Sequence, residues 1–130
     1  MTAALPPELA VAILDQVADA LVYADRQGTI AFWNRAAEQL FGYPAGEALG
    51  QSLDLIIPER LRPAHWKGYH LAIAEGRTRN AGRPTLTKAT HRSGASLYVH
   101  MTFAVVADDQ GRAVGSVAMA RPAEAPKKTA

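Results

Sequence analysis

The stretch Leu61-Arg-Pro-Ala-His-Trp-Lys-Gly-Tyr69 holds the side chain best suited to chemistry, His65. On a helix, Leu61, His65, Gly68 and Ala72 fall on one face, at spacings of four, three and four. An imidazole therefore sits on the inward, apolar side of this helix. Gly68 and Ala72 beside it are small, which leaves room for something flat. Two chemistries suit such a residue. An imidazole kept neutral by burial is a good ligand for iron. It can equally form a hydrogen bond within a core, as buried polar groups must.

The other candidate groups are weaker. His65 and His70 are five apart and point to different helix faces, so a shared metal is not expected. His70, His91 and His100 read as surface or sheet residues. Trp66 points about 100° away from His65 and reads as packing or dimer surface. Asp108-Asp109 reads as a solvated hairpin turn. There is no serine nucleophile elbow, phosphate loop or paired catalytic carboxylate, and no enzymatic activity is expected. The chain has no cysteine, which excludes disulfides, iron–sulfur clusters, thiolate metal sites and photochemistry through a cysteine adduct.

The elements that must position His65 can be read along the chain. It has 130 residues, with 48% hydrophobic and 20% charged side chains, enough for one domain with a real core. Pro6-Pro7-Glu8 followed by Leu9, Ile13, Val17 and Ala20 predicts an amphipathic helix. Residues 20–25 and 29–34, around Arg26-Gln27-Gly28, predict a hairpin. Asn34 caps a helix over 35–41 that Gly42 closes. A short helical turn over 44–50 follows. Pro58 opens a further turn, and Pro63 opens a helix that runs to Glu75 and stops at Gly76. Residues 84–91, 97–106 and 113–121 predict strands joined by turns at 92–95 and 107–111. The layout is α+β, with the helices grouped mid-chain against one five-stranded antiparallel sheet. In the long strand, Leu97, Val99, Met101, Phe103 and Val105 share the core face. Tyr98, His100, Thr102, Ala104 and Val106 share the other face. That face is apolar enough to need cover from the N-terminal helix or a second subunit.

This order and its local motifs resemble the PAS fold. The stretches that carry the resemblance are Asp25-Arg-Gln-Gly-Thr-Ile-Ala-Phe-Trp-Asn34, Arg35-Ala-Ala-Glu-Gln-Leu-Phe-Gly-Tyr43, Glu47-Ala-Leu-Gly50, Ile57-Pro58 and Arg92-Ser-Gly94. The resemblance implies a PAS domain over residues 9–121, and the Ala/Pro/Lys-rich composition of the edges implies a flexible N-terminus over 1–8 and a disordered tail over 122–130. The resemblance also implies a homodimer.

The segment Leu61-Arg-Pro-Ala-His65 looks like the haem-binding helix of oxygen-sensing haem PAS domains, found in rhizobial histidine kinases and bacterial cyclic-nucleotide phosphodiesterases. By that resemblance His65 is the proximal ligand of a haem b iron, held between the mid-chain helices and the sheet. Arg83 would donate to bound oxygen or to a propionate. Met101 and Phe103 match apolar distal positions of the kinase type. Tyr69 and Leu86 complete the expected pocket, with Tyr69 near its edge. The distal methionine and arginine of the phosphodiesterase type fall on Arg83 and Thr85, so neither is retained. PAS domains not known to bind haem also carry a histidine in a similar Arg-x-x-His-x-x-Gly helix. A cofactor-free interaction module, or a domain for flavin or another organic ligand, therefore stands beside the haem reading.

The remaining expectations concern place and partners. The net charge is +2 with no basic stripe, so no nucleic acid is expected. No apolar run approaches the roughly 18–20 residues that span a bilayer, Lys127 and Lys128 make no membrane patch, and Met1 to Pro7 lacks the pattern of a signal peptide. A cytoplasmic location is expected. The last strand ends Val117-Ala-Met-Ala-Arg121 before Pro122, without the Asp-Ile-Thr-like exit of signalling PAS domains. A stand-alone module that acts on a separate partner, such as a histidine kinase, is expected.

Overall fold

The computed structural model describes residues 4–78 and 82–127. Five strands form one antiparallel sheet in the order β2-β1-β5-β4-β3. They are β1 (Ala20–Asp25), β2 (Ile30–Trp33), β3 (Thr85–Thr90), β4 (Ser96–Ala107) and β5 (Ala113–Pro122). The helices are α1 (Pro7–Gln16), α2 (Arg35–Phe41), α3 (Ala45–Ala48) and α4 (Arg62–Glu75), with single 3-10 turns at Leu53–Leu55 and Glu59–Leu61. The α+β architecture expected from the sequence, with mid-chain helices against one five-stranded antiparallel sheet, is the one observed.

Local chemistry accounts for most element ends. Asn34 accepts from the Ala37 N–H and so caps α2, which stops at Gly42 in the left-handed region. Pro63 lies in the first turn of α4, and Gly76 ends it with φ of 77°. At the β1–β2 turn, the Asp25 carboxylate accepts from the N–H groups of Gln27 and Thr29, and Gly28 takes φ of 82°.

Two boundaries differ from the sequence reading. The N-terminal helix ends at Gln16, not Ala20, because Val17 is extended and the chain turns there into β1. The Asn34 amide fastens that turn by donating to the carbonyls of Leu14 and Asp19. At the other end β5 reaches Pro122, and the Ala123 N–H donates to the Tyr98 carbonyl. The expectations of a flexible N-terminus and a disordered tail, where they concern residues 1–3 and 128–130, lie outside the described residues.

The core forms where α2, α3 and α4 meet one face of the sheet. Phe41, Ile30, Val99 and Asn34 are the largest side chains sealed completely. Val99 and Met101 on β4 are buried on the core side, as alternation predicts. On the other side of the same strand His100 and Ala104 are exposed, and Tyr98, Thr102 and Val106 are half-buried. The N-terminal helix lies beside α2, joined by an Arg35–Asp15 ion pair at 2.8 Å. No residue of it is buried, and Leu9, Val11 and Ile13 remain about half exposed.

Candidate functional site

A cavity of about 830 Å³ lies between α4 and the sheet. That is within the roughly 300–1,000 Å³ typical of small-molecule and cofactor sites. The helical face inferred from spacing lines it: Leu61, His65, Gly68 and Ala72 all contribute. A Cβ at Gly68 would meet nothing within 4 Å, so the glycine leaves open space beside the imidazole. The facing wall comes from the sheet, with Met101, Phe103 and Val105 of β4 and Ser116, Ala118 and Ala120 of β5. Alternation along two adjacent strands produces this wall, and small residues on β5 keep it set back.

Of the six residues expected in the pocket, five line this cavity: His65, Tyr69, Arg83, Met101 and Phe103. Leu86 does not. It is paired with His100 across β3–β4 and is 40% exposed on the opposite face. Its neighbours Thr85 and Thr87 point inward instead. The error is one of strand phase, since in a strand one residue reverses the face. Tyr69 is also deeper than expected. It is 7% exposed, and its hydroxyl donates to the Asp25 carbonyl at 2.5 Å while accepting from the Ser116 hydroxyl at 3.3 Å. Burial pushes its phenol above the ordinary value, against the Ser116 hydrogen bond and with the help of Asp25 and Tyr23. It is a neutral donor that ties α4 to the sheet.

His65 is the unusual group. Its Nδ1 is buried and has no hydrogen-bond partner among the described residues. Such an atom costs about 1–3 kcal/mol unless something satisfies it. Burial pushes the imidazole below its ordinary value, opposed by the Asp54 carboxylate and reinforced by His70. The ring is thus neutral at pH 7, with a lone pair available for an acceptor's or ligand's role. Among the described residues no group of three or more His, Cys, Asp or Glu side chains is placed to hold a metal. A metal at His65 would therefore have to arrive with other ligands of its own.

The depressed pKa fixes the sign of a pH effect. An unfolded-state imidazole titrates near about 6.5, and the folded one titrates lower. Between the two values the unfolded chain takes up a proton that the folded chain refuses. His65 thus contributes stability that is fully present above pH of about 6.5 and is lost as pH falls through the folded value. Urea midpoints should drop from pH 7 toward pH 5, and His65→Gln should flatten that profile. Identical profiles in parent and variant would show that His65 does not carry the effect.

Sequence reasoning missed other parts of the site. Lys67 and Arg77 reach the cavity beside the expected Arg83, against one acidic residue, Glu75. None of these three cations forms an ion pair among the described residues. Lys67 lies two positions after His65, so the spacing that picks out the helix face passes over it. Trp66 does not line the cavity. It packs on the β1–β2 turn, as its direction from His65 suggested.

A flat, apolar, dianionic metalloporphyrin fits what these residues offer. The walls are largely apolar, cationic side chains reach the cavity, and one neutral imidazole has a buried Nδ1 without a partner among the described residues.

Comparison with known proteins adds the family. The PAS-fold family model matches residues 8–123. The oxygen sensor protein DosP of Escherichia coli (strain K12) is 28% identical over 93 residues, which is 72% of this chain and 12% of DosP. The sensor protein FixL of Bradyrhizobium diazoefficiens is 40% identical over 53 residues, 41% of this chain and 10% of FixL. The chain thus spans about a tenth of the length of these curated relatives. The PAS domain of a protein from Colwellia psychrerythraea superposes with a TM-score of 0.76 at 21% identity, covering 89% of this chain and 95% of that one, a likeness of fold alone. With the family model matched over nearly its whole length and the fold in agreement, the chain belongs to the PAS-fold family.

Proposed function

We propose that this PAS domain is a gas or redox sensor that holds haem b in the cavity between α4 and the sheet. The observation that carries the reading is His65, a half-buried imidazole whose Nδ1 is buried and unpartnered among the described residues, on the wall of an apolar cavity of about 830 Å³. Similarity to an oxygen sensor protein supports it, as does the likeness of Leu61-Arg-Pro-Ala-His65 to haem-binding PAS helices. His65 would ligate the iron through an imidazole nitrogen. Arg83, with Lys67 and Arg77, would meet the acidic edge of the group, and Met101 and Phe103 would bound the space across from the helix. When bound, haem supplies reversible gas binding and one-electron chemistry. The chain's own part is to keep the imidazole neutral, exclude bulk water and shape the space.

The test is the visible spectrum after addition of ferric haem to the parent and to His65→Ala. A sharp, saturable Soret band in the parent that the variant loses is the expected result. No saturable band in the parent would end the haem reading and leave a cofactor-free interaction module. Flavin absorption in the purified protein, without a Soret band, would instead identify a flavin domain.

The outer sheet face and the exposed Leu9, Val11 and Ile13 of α1 support a homodimer. Light scattering should give twice the chain mass at high concentration, and a strictly monomeric mass would exclude the dimer. The domain would act in the cytoplasm as a non-enzymatic module and pass its state to a separate protein such as a histidine kinase, without binding nucleic acid or membrane. Among the described residues, no helix is long and apolar enough to cross a membrane.

A further inference from the structure

The unpartnered Nδ1 raises a mechanical question. A histidine that serves as a ligand is ordinarily oriented by a hydrogen bond to its other nitrogen. His65 has no such bond at Nδ1 among the described residues. What faces its ring is aromatic: Trp66 lies edge-on with centroids 4.7 Å apart, and Tyr69 is tilted at 5.7 Å.

Trp66 is itself held from two sides. Its Nε1–H donates to the Asp54 carboxylate at 2.8 Å. Its ring rests against Gly28, where a Cβ would lie 2.1 Å from a ring carbon. Those two supports are joined to each other, because the Leu53 N–H donates to the Gly28 carbonyl at 3.0 Å. An isolated bridge between Thr29 and Ser52 extends the same junction. The indole thus fills the seam between the β1–β2 turn and the 3-10 turn at Leu53–Leu55. Gly28 serves twice, supplying φ of 82° and the space that the ring occupies.

The geometry points to Trp66 as the positioning residue for His65 and as the link that ties its orientation to the β1–β2 turn. A change in the imidazole on the cavity side moves an indole that cannot yield without disturbing Gly28 or Asp54. The turn at residues 25–29 is then where the state of the cavity is felt outside it. This deepens the sensor reading, on which its functional meaning rests, but the coupling is a property of the chain and can be measured without any ligand.

The experiment is a mutant cycle read by amide NMR on the unliganded full chain. His65→Ala should displace the Gly28 amide resonance in the parent and leave it in place in a Trp66→Ala background. Equal displacement in both backgrounds, or none in the parent, overturns the proposal. Should Trp66→Ala not fold, Trp66→Phe removes only the bond to Asp54 and part of the ring. It should weaken the response at Gly28, and an unchanged response overturns the proposal equally. With ferric haem added, hydrogen exchange at residues 25–29 should slow in the parent and not in the Trp66 variant. Equal slowing in both would overturn the link. If haem is not taken up at all, the sensor reading fails, while the unliganded cycle still decides the role of Trp66.

Discussion

Asn34→Ala should lower the unfolding free energy by about 3–5 kcal/mol, several times the ~1 kcal/mol usual for losing a helix N-cap. The reason is the number of strands of chain that meet at one amide. Its Oδ1 accepts from the N–H of Ala37 and from the N–H of Leu21, both at 2.9 Å. Its Nδ2 donates to the carbonyls of Leu14 and Asp19, both at 3.0 Å. The side chain is fully buried. Truncation strands four backbone groups at the meeting point of α1, β1 and α2. Water reaching the part-buried carbonyls of Leu14 and Asp19 would recover some of the loss, which keeps the sum below four full penalties. Asn34→Asp separates the two halves of the role. It keeps the acceptors but sets a carboxylate oxygen against two carbonyls, so it should also destabilise at pH 7. Urea midpoints at unchanged m-value are the measurement. A loss of only about 1 kcal/mol would mean that Asn34 acts as a simple cap.

Phe41→Ala should cost about 3–5 kcal/mol as well, by a different route. Phe41 is fully buried, lies 5.4 Å from the Trp33 ring and forms part of the cavity wall. Ordinary core truncations are eased when neighbours collapse into the space. Here the vacated volume opens onto a cavity that is already present, so collapse is poorly rewarded and the upper part of the range is expected. The same urea measurement applies. A cost under about 2 kcal/mol would show that α2 and the sheet close over the site.

These two residues also show what the sequence made legible. Asn34 before an apolar-periodic stretch marks a helix start by local rules alone, and α2 begins where those rules place it. Its bonds to Leu14 and Asp19 were not legible, because they depend on where α1 ends in space. The face of α4 that carries His65, Gly68 and Ala72 was legible because helix periodicity is set by the residues themselves. Leu86 was misplaced because its strand inverts the usual pattern, with threonines inward and leucine outward. Only the register against β4 fixes that choice. The contact of Trp66 with Gly28 joins segments far apart in the chain, and no local pattern announces it.

The two ends of the sheet are not alike. Outside β2, the Ile30 N–H donates to the Gln51 carbonyl and the Ile30 carbonyl accepts from the Gly50 N–H, so that margin is already taken by the chain's own loop. Outside β3, the corresponding bond among the described residues is Thr90 N–H to the Ile56 carbonyl, at one end of the strand. The rest of β3 presents Thr85, Leu86, Thr87 and Lys88 at the margin of the sheet. Strand addition, whether by a partner's peptide or by misassembly of destabilised chains, therefore has a preferred place on this domain. Lys88 and the short length of β3 are the features that discourage its unwanted use.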